Sequence, residues 1–175
     1  MIEFYLNGQQ QTLDRADPNL SILDWLRMSK RLPGTKEGCA SGDCGACTVA
    51  IGTPDENRSG QLRYDSVNSC IAPVGSLHGK HLVTVEALQT EPGHPVQKEM
   101  IDCHGAQCGY CTPGIIMSLF ALHTEKAAAG ASTSDNELLE ALSGNLCRCT
   151  GYRPIMEAGR RASVQTWNPG TTHDN

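Results

Sequence analysis

Nine cysteines in 175 residues constrain this chain more than any other feature. An odd number cannot all pair as disulfides within one chain. Eight of them fall into two sets. Cys39, Cys44 and Cys47 lie close together among Gly38, Gly42 and Gly45, and Cys70 follows after 22 intervening residues. Cys108 and Cys111 form a C-x2-C pair, and Cys147-x-Cys149 follows 35 residues later. The opening Met1-Ile-Glu-Phe-Tyr-Leu lacks the basic segment and long apolar core of a signal peptide, and no twin-arginine pair stands there. The most apolar stretch, Gly114 to Leu122, is far shorter than the ~20 residues of a membrane span. These features predict a cytoplasmic chain, and in a reducing compartment clustered thiols serve metals or redox chemistry more often than structural disulfides.

The first set has the spacing of a plant-type [2Fe–2S] loop, three clustered cysteines and a distant fourth. Thiolates from a single loop must curl around the cluster, and the interleaved glycines allow tight or left-handed backbone there. Their amides are then placed to face the cluster sulfurs and offset its negative charge. A thioredoxin-like Cys44-Gly-Ala-Cys47 pair or half a zinc site are the alternatives, and neither accounts for Cys39 and Cys70 together. In the second set each pair closely precedes a predicted helix, whose N-terminus favours an anionic all-thiolate group. A zinc held by the same four cysteines is the rival, although Cys-x-Cys is an unusual zinc spacing. Cys103 is left over and reads as a small buried hydrophobe on a helix.

Other chemistries find little support. The net charge is −5, with 14 Lys+Arg against 19 Asp+Glu, so the basic footprint of a nucleic-acid or anionic-membrane partner is missing. No phosphate loop, G-x-G-x-x-G fingerprint or Ser–His–Asp set occurs, and no catalytic residue is assigned. The six histidines read as structural or surface residues.

Element signals divide the chain. Ile2–Leu6 and Gln9–Leu13 flank Asn7-Gly8, a hairpin signature. Asp17, Pro18 and Asn19 precede a helix near residues 20–29. Cys47–Ile51 and Leu82–Val85 have strand character, with a polar excursion over Thr53–Gly60. Beyond Leu88 the pattern turns helical. Pro95 opens a stretch towards Cys103. Thr112 reads as the N-cap, with Pro113 in the first turn, of a helix carrying a broad apolar stripe of Ile115, Ile116, Leu119 and Phe120. Ser134 and Glu137 form a capping box with Gly144 at the exit, and a last helix runs from Pro154 through Arg161. The expected class is α+β, with a sheet domain over 1–88, a helical domain over 89–165 and a polar tail or linker over 166–175.

With these residues in view, the chain resembles the molybdenum hydroxylases, the xanthine dehydrogenase and aldehyde oxidase family. Gly34-Thr-Lys-Glu-Gly-Cys39-Ala-Ser-Gly-Asp-Cys44-Gly-Ala-Cys47 is similar to the family's ferredoxin-like loop. His104-Gly-Ala-Gln107-Cys108-Gly-Tyr-Cys111-Thr-Pro-Gly and Gly144-Asn-Leu-Cys147-Arg-Cys149-Thr-Gly-Tyr-Arg-Pro154 resemble its second cluster motif. The likeness runs from about Ile2 to Ala162. The long Cys47-to-Cys70 interval and Val83-Thr-Val-Glu-Ala-Leu88 are most similar to xanthine dehydrogenases.

The resemblance implies a β-grasp [2Fe–2S] domain followed by a four-helix [2Fe–2S] domain with approximate internal two-fold symmetry. Cys39, Cys44, Cys47 and Cys70 would ligate a flavin-side cluster, and Cys108, Cys111, Cys147 and Cys149 a molybdenum-side cluster. Gln107 and Cys149 would lie against the pterin cofactor. The implied role is an electron-transfer subunit in a cytoplasmic hetero-oligomer, passing electrons from a molybdenum–pterin large subunit to an FAD-binding subunit or domain and then to NAD. The implied reaction of the whole complex is oxidation of hypoxanthine and xanthine to urate. Many relatives continue into an FAD domain where this sequence ends, so flavin and molybdenum are expected on other chains or on sequence not given. The alternatives are the small subunit of an aldehyde or N-heterocycle oxidoreductase, a stand-alone ferredoxin, and a zinc-binding interaction module.

Overall fold

Asn7 and Gly8 take φ values of 49° and 85°, the left-handed pair that a two-residue hairpin turn requires. They join β1 (Ile2–Leu6) to an antiparallel β2 (Gln9–Leu13), the bounds the sequence predicts. The computed structural model describes residues 1–91 and 93–167. The helix expected near 20–29 is present but changes type. A short α1 (Ile22–Asp24), capped by the Ser21 hydroxyl accepting from the Asp24 amide, widens into a π-turn over Trp25–Ser29. The amide of Lys30 reaches back to the Trp25 carbonyl, and Ile22, Leu23, Trp25 and Leu26 are all buried.

Strand β3 covers Thr48–Pro54 and pairs antiparallel with β4 (Leu62–Asn68). The predicted excursion over Thr53–Gly60 therefore begins too early, and β4 is a strand the sequence reading lacked. Its residues are mostly exposed, as on an edge strand, so no apolar alternation announces it. Strand β5 is His81–Val83, and the chain then tightens into a 3₁₀ turn over Val85–Leu88, correcting the predicted strand over Leu82–Val85. The five strands lie in the order β2-β1-β5-β3-β4, with β1 and β5 parallel and the other pairs antiparallel. This is the expected β-grasp sheet.

The sheet serves two cores. Val49, Ile51 and Leu82 pack with Phe4, Trp25 and Leu26 on one face. Ala50 and Val83, alternating with them, face the helical half and pack with its apolar residues. Burial on both faces is why β3 reads as a continuous apolar run. At roughly 1.5–3 kcal/mol for each large apolar side chain buried, the second face binds the two halves into one packed body.

Four helices build the other half: α2 (Pro95–Asp102), α3 (Thr112–Ala129), α4 (Asp135–Leu142) and α5 (Arg153–Ser163). The α4 capping box forms as predicted. On α3 the cap is Cys111 rather than Thr112, which is the first helical residue, and its hydroxyl is buried without a partner. Gly114 through Ala121 are buried almost all round, wider than one stripe, because α3 lies between the sheet and the other helices. Helix α4 ends at Leu142 with Ser143 as its cap, which leaves Gly144 at the exit as expected, without a left-handed φ. The predicted tail also needs correction at Trp167, whose ring packs 4.6 Å from that of His94 and 6.3 Å from Phe120. Residues 168–175 of that tail lie outside the described residues. The chain is α+β, a sheet followed by helices.

Candidate metal centres

The glycine-rich loop after α1 brings its own backbone to its thiols. Gly42 and Gly45 take φ of 83° and 68°, and a Cβ at Gly38 would sit 2.6 Å from the Cys44 Sγ. The loop curls so that the amides of Ser41 and Asp43 donate to the Cys39 Sγ at 3.4 and 3.3 Å, and the Cys39 amide donates to the Cys44 Sγ at 3.4 Å. The Ser41 hydroxyl and amide, with help from Cys44, hold the Cys39 thiol down at about 6. From β4, the Asn68 side-chain amide donates to the Gly42 carbonyl at 2.6 Å and fixes the loop's far side. Cys70, one turn beyond β4, meets the buried Cys47, and burial followed by that contact pushes its thiol up to about 12.

The second set is assembled from distant segments. Cys111 stands at the N-terminus of α3, and Cys147 precedes α5. Their side chains meet, and burial followed by the Cys147 contact raises the Cys111 thiol to about 12. The exposed Cys108 and Cys149 meet each other outside them. The Cys147 amide donates to the Tyr152 hydroxyl at 2.7 Å, which itself donates to the Asn145 carbonyl at 3.1 Å. Thr150 lies 3.1 Å from the Cys147 Sγ and accepts from the Tyr152 amide at 3.2 Å. Gln107 is exposed beside Cys108.

All eight predicted residues are therefore gathered, in four pairs: Cys39 with Cys44, Cys47 with Cys70, Cys108 with Cys149, and Cys111 with Cys147. Among the described residues, no three Cys, His, Asp or Glu side chains converge as they would on one ion. A structural zinc draws four ligands to a single centre. A [2Fe–2S] group spreads four thiolates over two irons. The paired donor set fits the binuclear group.

Cys103 belongs to neither set. It is half-buried at the end of α2, packs against the helical core, and its thiol is raised by burial. The described histidines with mapped partners play structural parts: His78 accepts from the Glu3 amide, His81 pairs with Tyr64, and His94 caps α2. Sequence reasoning assigned no role to Ser41, Asn68, Tyr110, Asn145, Thr150 or Tyr152. Ser41, Tyr110, Asn145, Thr150 and Tyr152 carry one signal, their place inside the cysteine motifs.

The two loops touch. Leu146 donates its amide to the Cys44 carbonyl at 2.9 Å, and the Tyr110 hydroxyl donates to the Glu37 carbonyl. A groove of about 210 Å³ lies between them, lined by Gly38, Cys44 and Ala46 on one side and Tyr110, Leu146 and Cys149 on the other. Among the described residues, no helix is long and apolar enough to cross a membrane.

Comparison with known proteins finds two iron–sulfur families along the chain. Residues 4–75 match the family described as "2Fe-2S iron-sulfur cluster binding domain", and residues 84–160 the family described as "[2Fe-2S] binding domain". The chain is 45% identical to a xanthine dehydrogenase of Blastobotrys adeninivorans over 163 residues, 93% of this chain. It is 46% identical to aldehyde oxidase 1 of Cavia porcellus over 159 residues, 90% of this chain. It spans only 11% and 12% of those two proteins. A solved chain of quinoline 2-oxidoreductase from Pseudomonas putida superposes with a TM-score of 0.76 at 32% identity, covering 93% of this chain and 91% of that one.

Proposed function

The chain belongs to the molybdenum hydroxylase family as its two-cluster iron–sulfur part, and from that premise we propose that it is the electron-transfer subunit of a xanthine dehydrogenase-like enzyme. In this reading residues 1–88 hold one [2Fe–2S] cluster through Cys39, Cys44, Cys47 and Cys70. Residues 89–165 hold the other through Cys108, Cys111, Cys147 and Cys149. When bound, the two clusters supply one-electron redox chemistry, and no substrate chemistry falls to this chain.

The chain's own residues set the terms of the relay. The Ser41 and Asp43 amides favour added negative charge at the Cys39 side, and the Tyr152 hydroxyl holds the Cys147 backbone. Gln107 and Cys149, exposed at one end, would face a molybdenum–pterin large subunit, and the Cys39 loop an FAD-binding subunit or domain passing electrons to NAD. The complex would be a cytoplasmic hetero-oligomer of purine catabolism, oxidising hypoxanthine and xanthine to urate. The observation that carries the relay reading is the main-chain contact between the two thiol-bearing loops, Leu146 N–H to Cys44 C=O.

A second reading, the small subunit of an aldehyde or N-heterocycle oxidoreductase, is favoured by one observation. The matched quinoline 2-oxidoreductase chain is a separate chain covered over 91% of its length. The test is to purify the intact assembly through a tag on this chain and add xanthine, an aldehyde or quinoline without oxygen. Bleaching of iron–sulfur absorbance by xanthine supports the first reading, and bleaching by an aldehyde or quinoline alone supports the second. If dithionite bleaches the assembly and none of the three does, both are wrong.

A further inference from the structure

Asn145 is a fully buried amide, 3% exposed, whose bonds reach both halves of the molecule. Its Nδ2 donates to the Gly45 carbonyl at 3.0 Å and to the Thr48 hydroxyl at 3.2 Å, both in the sheet half. Its Oδ1 accepts from the Ser118 hydroxyl of α3 at 2.7 Å, which fixes the amide's orientation. The Gly45 carbonyl also accepts from the Thr48 amide and hydroxyl, so the Gly45–Ala46 peptide, one residue beyond Cys44, is held by three donors. No side chain fits there. A Cβ on Gly45 would sit 2.2 Å from the Gly144 carbonyl, and one on Gly114 would sit 2.1 Å from the Gly45 carbonyl. The next residue after Asn145 is Leu146, whose amide donates to the Cys44 carbonyl.

We propose that Asn145 is a positioning residue for electron transfer: by locking Gly45 against the loop of Cys147, it sets the Cys44 C=O···H–N Leu146 hydrogen bond as the route between the two centres. This rests on the electron-transfer reading. The route is short in bonds. From the Cys44 Sγ it follows that residue's own side chain to its carbonyl, crosses one hydrogen bond, and continues through Leu146 to the Cys147 Sγ. One electron crosses per event, leaving the Cys147 centre oxidised by one electron and the Cys44 centre reduced by one. No bond forms or breaks and no proton moves. The other bridge, Tyr110 to Glu37, lies at an exposed rim, with Tyr110 half open to water. Water competes for that bond and not for those of Asn145.

The test uses the full chain carrying both clusters, with Asn145→Ala and Ser118→Ala. Three quantities are read: the magnetic splitting between the two reduced clusters, the rate at which a photo-injected electron redistributes between them, and hydrogen exchange at the Leu146 amide. Asn145→Ala should weaken the splitting, slow redistribution several-fold and expose the Leu146 amide, while each centre keeps its iron and its midpoint potential. Ser118→Ala should move the same readouts in the same direction by less. A merely structural role would lower the melting temperature and leave splitting and rate alone. Unchanged splitting and rate in a loaded Asn145→Ala chain would overturn the proposal and leave the electron-transfer reading standing. If Asn145→Ala fails to fold, Ser118→Ala decides by the same criterion. If the unaltered chain holds no iron–sulfur cluster, the electron-transfer reading falls first and this proposal with it.

Discussion

The loop of Cys39, Cys44 and Cys47 holds its thiols with its own backbone, whereas the Cys108–Cys149 set is held by helices arriving from distant parts of the chain. In the first, amides two and four residues from Cys39 supply the contacts, and left-handed glycines make the curl. In the second, Cys111 depends on α3, and Cys147 on the Thr150–Tyr152 turn that leads into α5. A local device survives loosening of its surroundings better than one assembled across a packed core. The two regions should therefore respond differently to strain, acid and deletion of single hydrogen bonds.

The largest effect is expected where the two devices meet. Gly45→Ala places a Cβ at a φ of 68° and 2.2 Å from the Gly144 carbonyl. Left-handed strain of about 1–3 kcal/mol adds to overpacking of similar size, so urea unfolding should show a loss well above 1 kcal/mol. A neutral Gly45→Ala would mean the loops are not in tight contact.

Acid should separate the regions next. Burial, then the neighbouring His123, depresses His94 to about 3, against about 6.5 in an unfolded chain. The folded state binds fewer protons than the unfolded one between these values. The stability contributed is complete above pH 6.5 and is lost as pH falls towards 3, at up to about 1.4 kcal/mol per pH unit. His94 caps α2 and meets the rings of Phe120 and Trp167 edge-on, so the helical half should loosen first. Denaturation at pH 7 and pH 5, followed by tryptophan fluorescence, measures it. His94→Asn, which keeps a capping side chain without the titration, should flatten the difference.

Tyr152→Phe is a smaller and sharper cut. It strips the Cys147 amide and the Asn145 carbonyl of their partner, at a cost of about 1–3 kcal/mol for polar groups left unpaired. Paramagnetic resonance should show a changed signal from the Cys147 centre and an unchanged one from the Cys39 centre. A change in both would dissolve the contrast between local and assembled centres. Cys103→Ser comes last: both cluster signals should be intact, with a stability loss below about 1 kcal/mol because the thiol is only half-buried.

The same contrast explains how much the sequence disclosed. The hairpin, the capping box and the spacing of Cys39, Cys44 and Cys47 are short-range features, and each was legible. Strand β4 was not, because an exposed edge strand carries no apolar alternation. The π-turn after α1 and the cap shift on α3 depend on packing that sequence does not print. Asn145 lies within a cysteine motif, yet its role lies in bonds to Gly45 and Thr48, 100 and 97 positions away. Trp167 looked like tail for the same reason, since its partners His94 and Phe120 are remote in sequence.

The central claim, that each thiol set holds one [2Fe–2S] cluster, is tested most directly by iron and acid-labile sulfide per chain in the purified protein, beside paramagnetic resonance of Cys47→Ser and Cys149→Ser. The account predicts about four of each in the unaltered chain, and in each variant a change confined to the signal of its own centre. Zinc in place of iron, or about two irons in the unaltered chain, would contradict it.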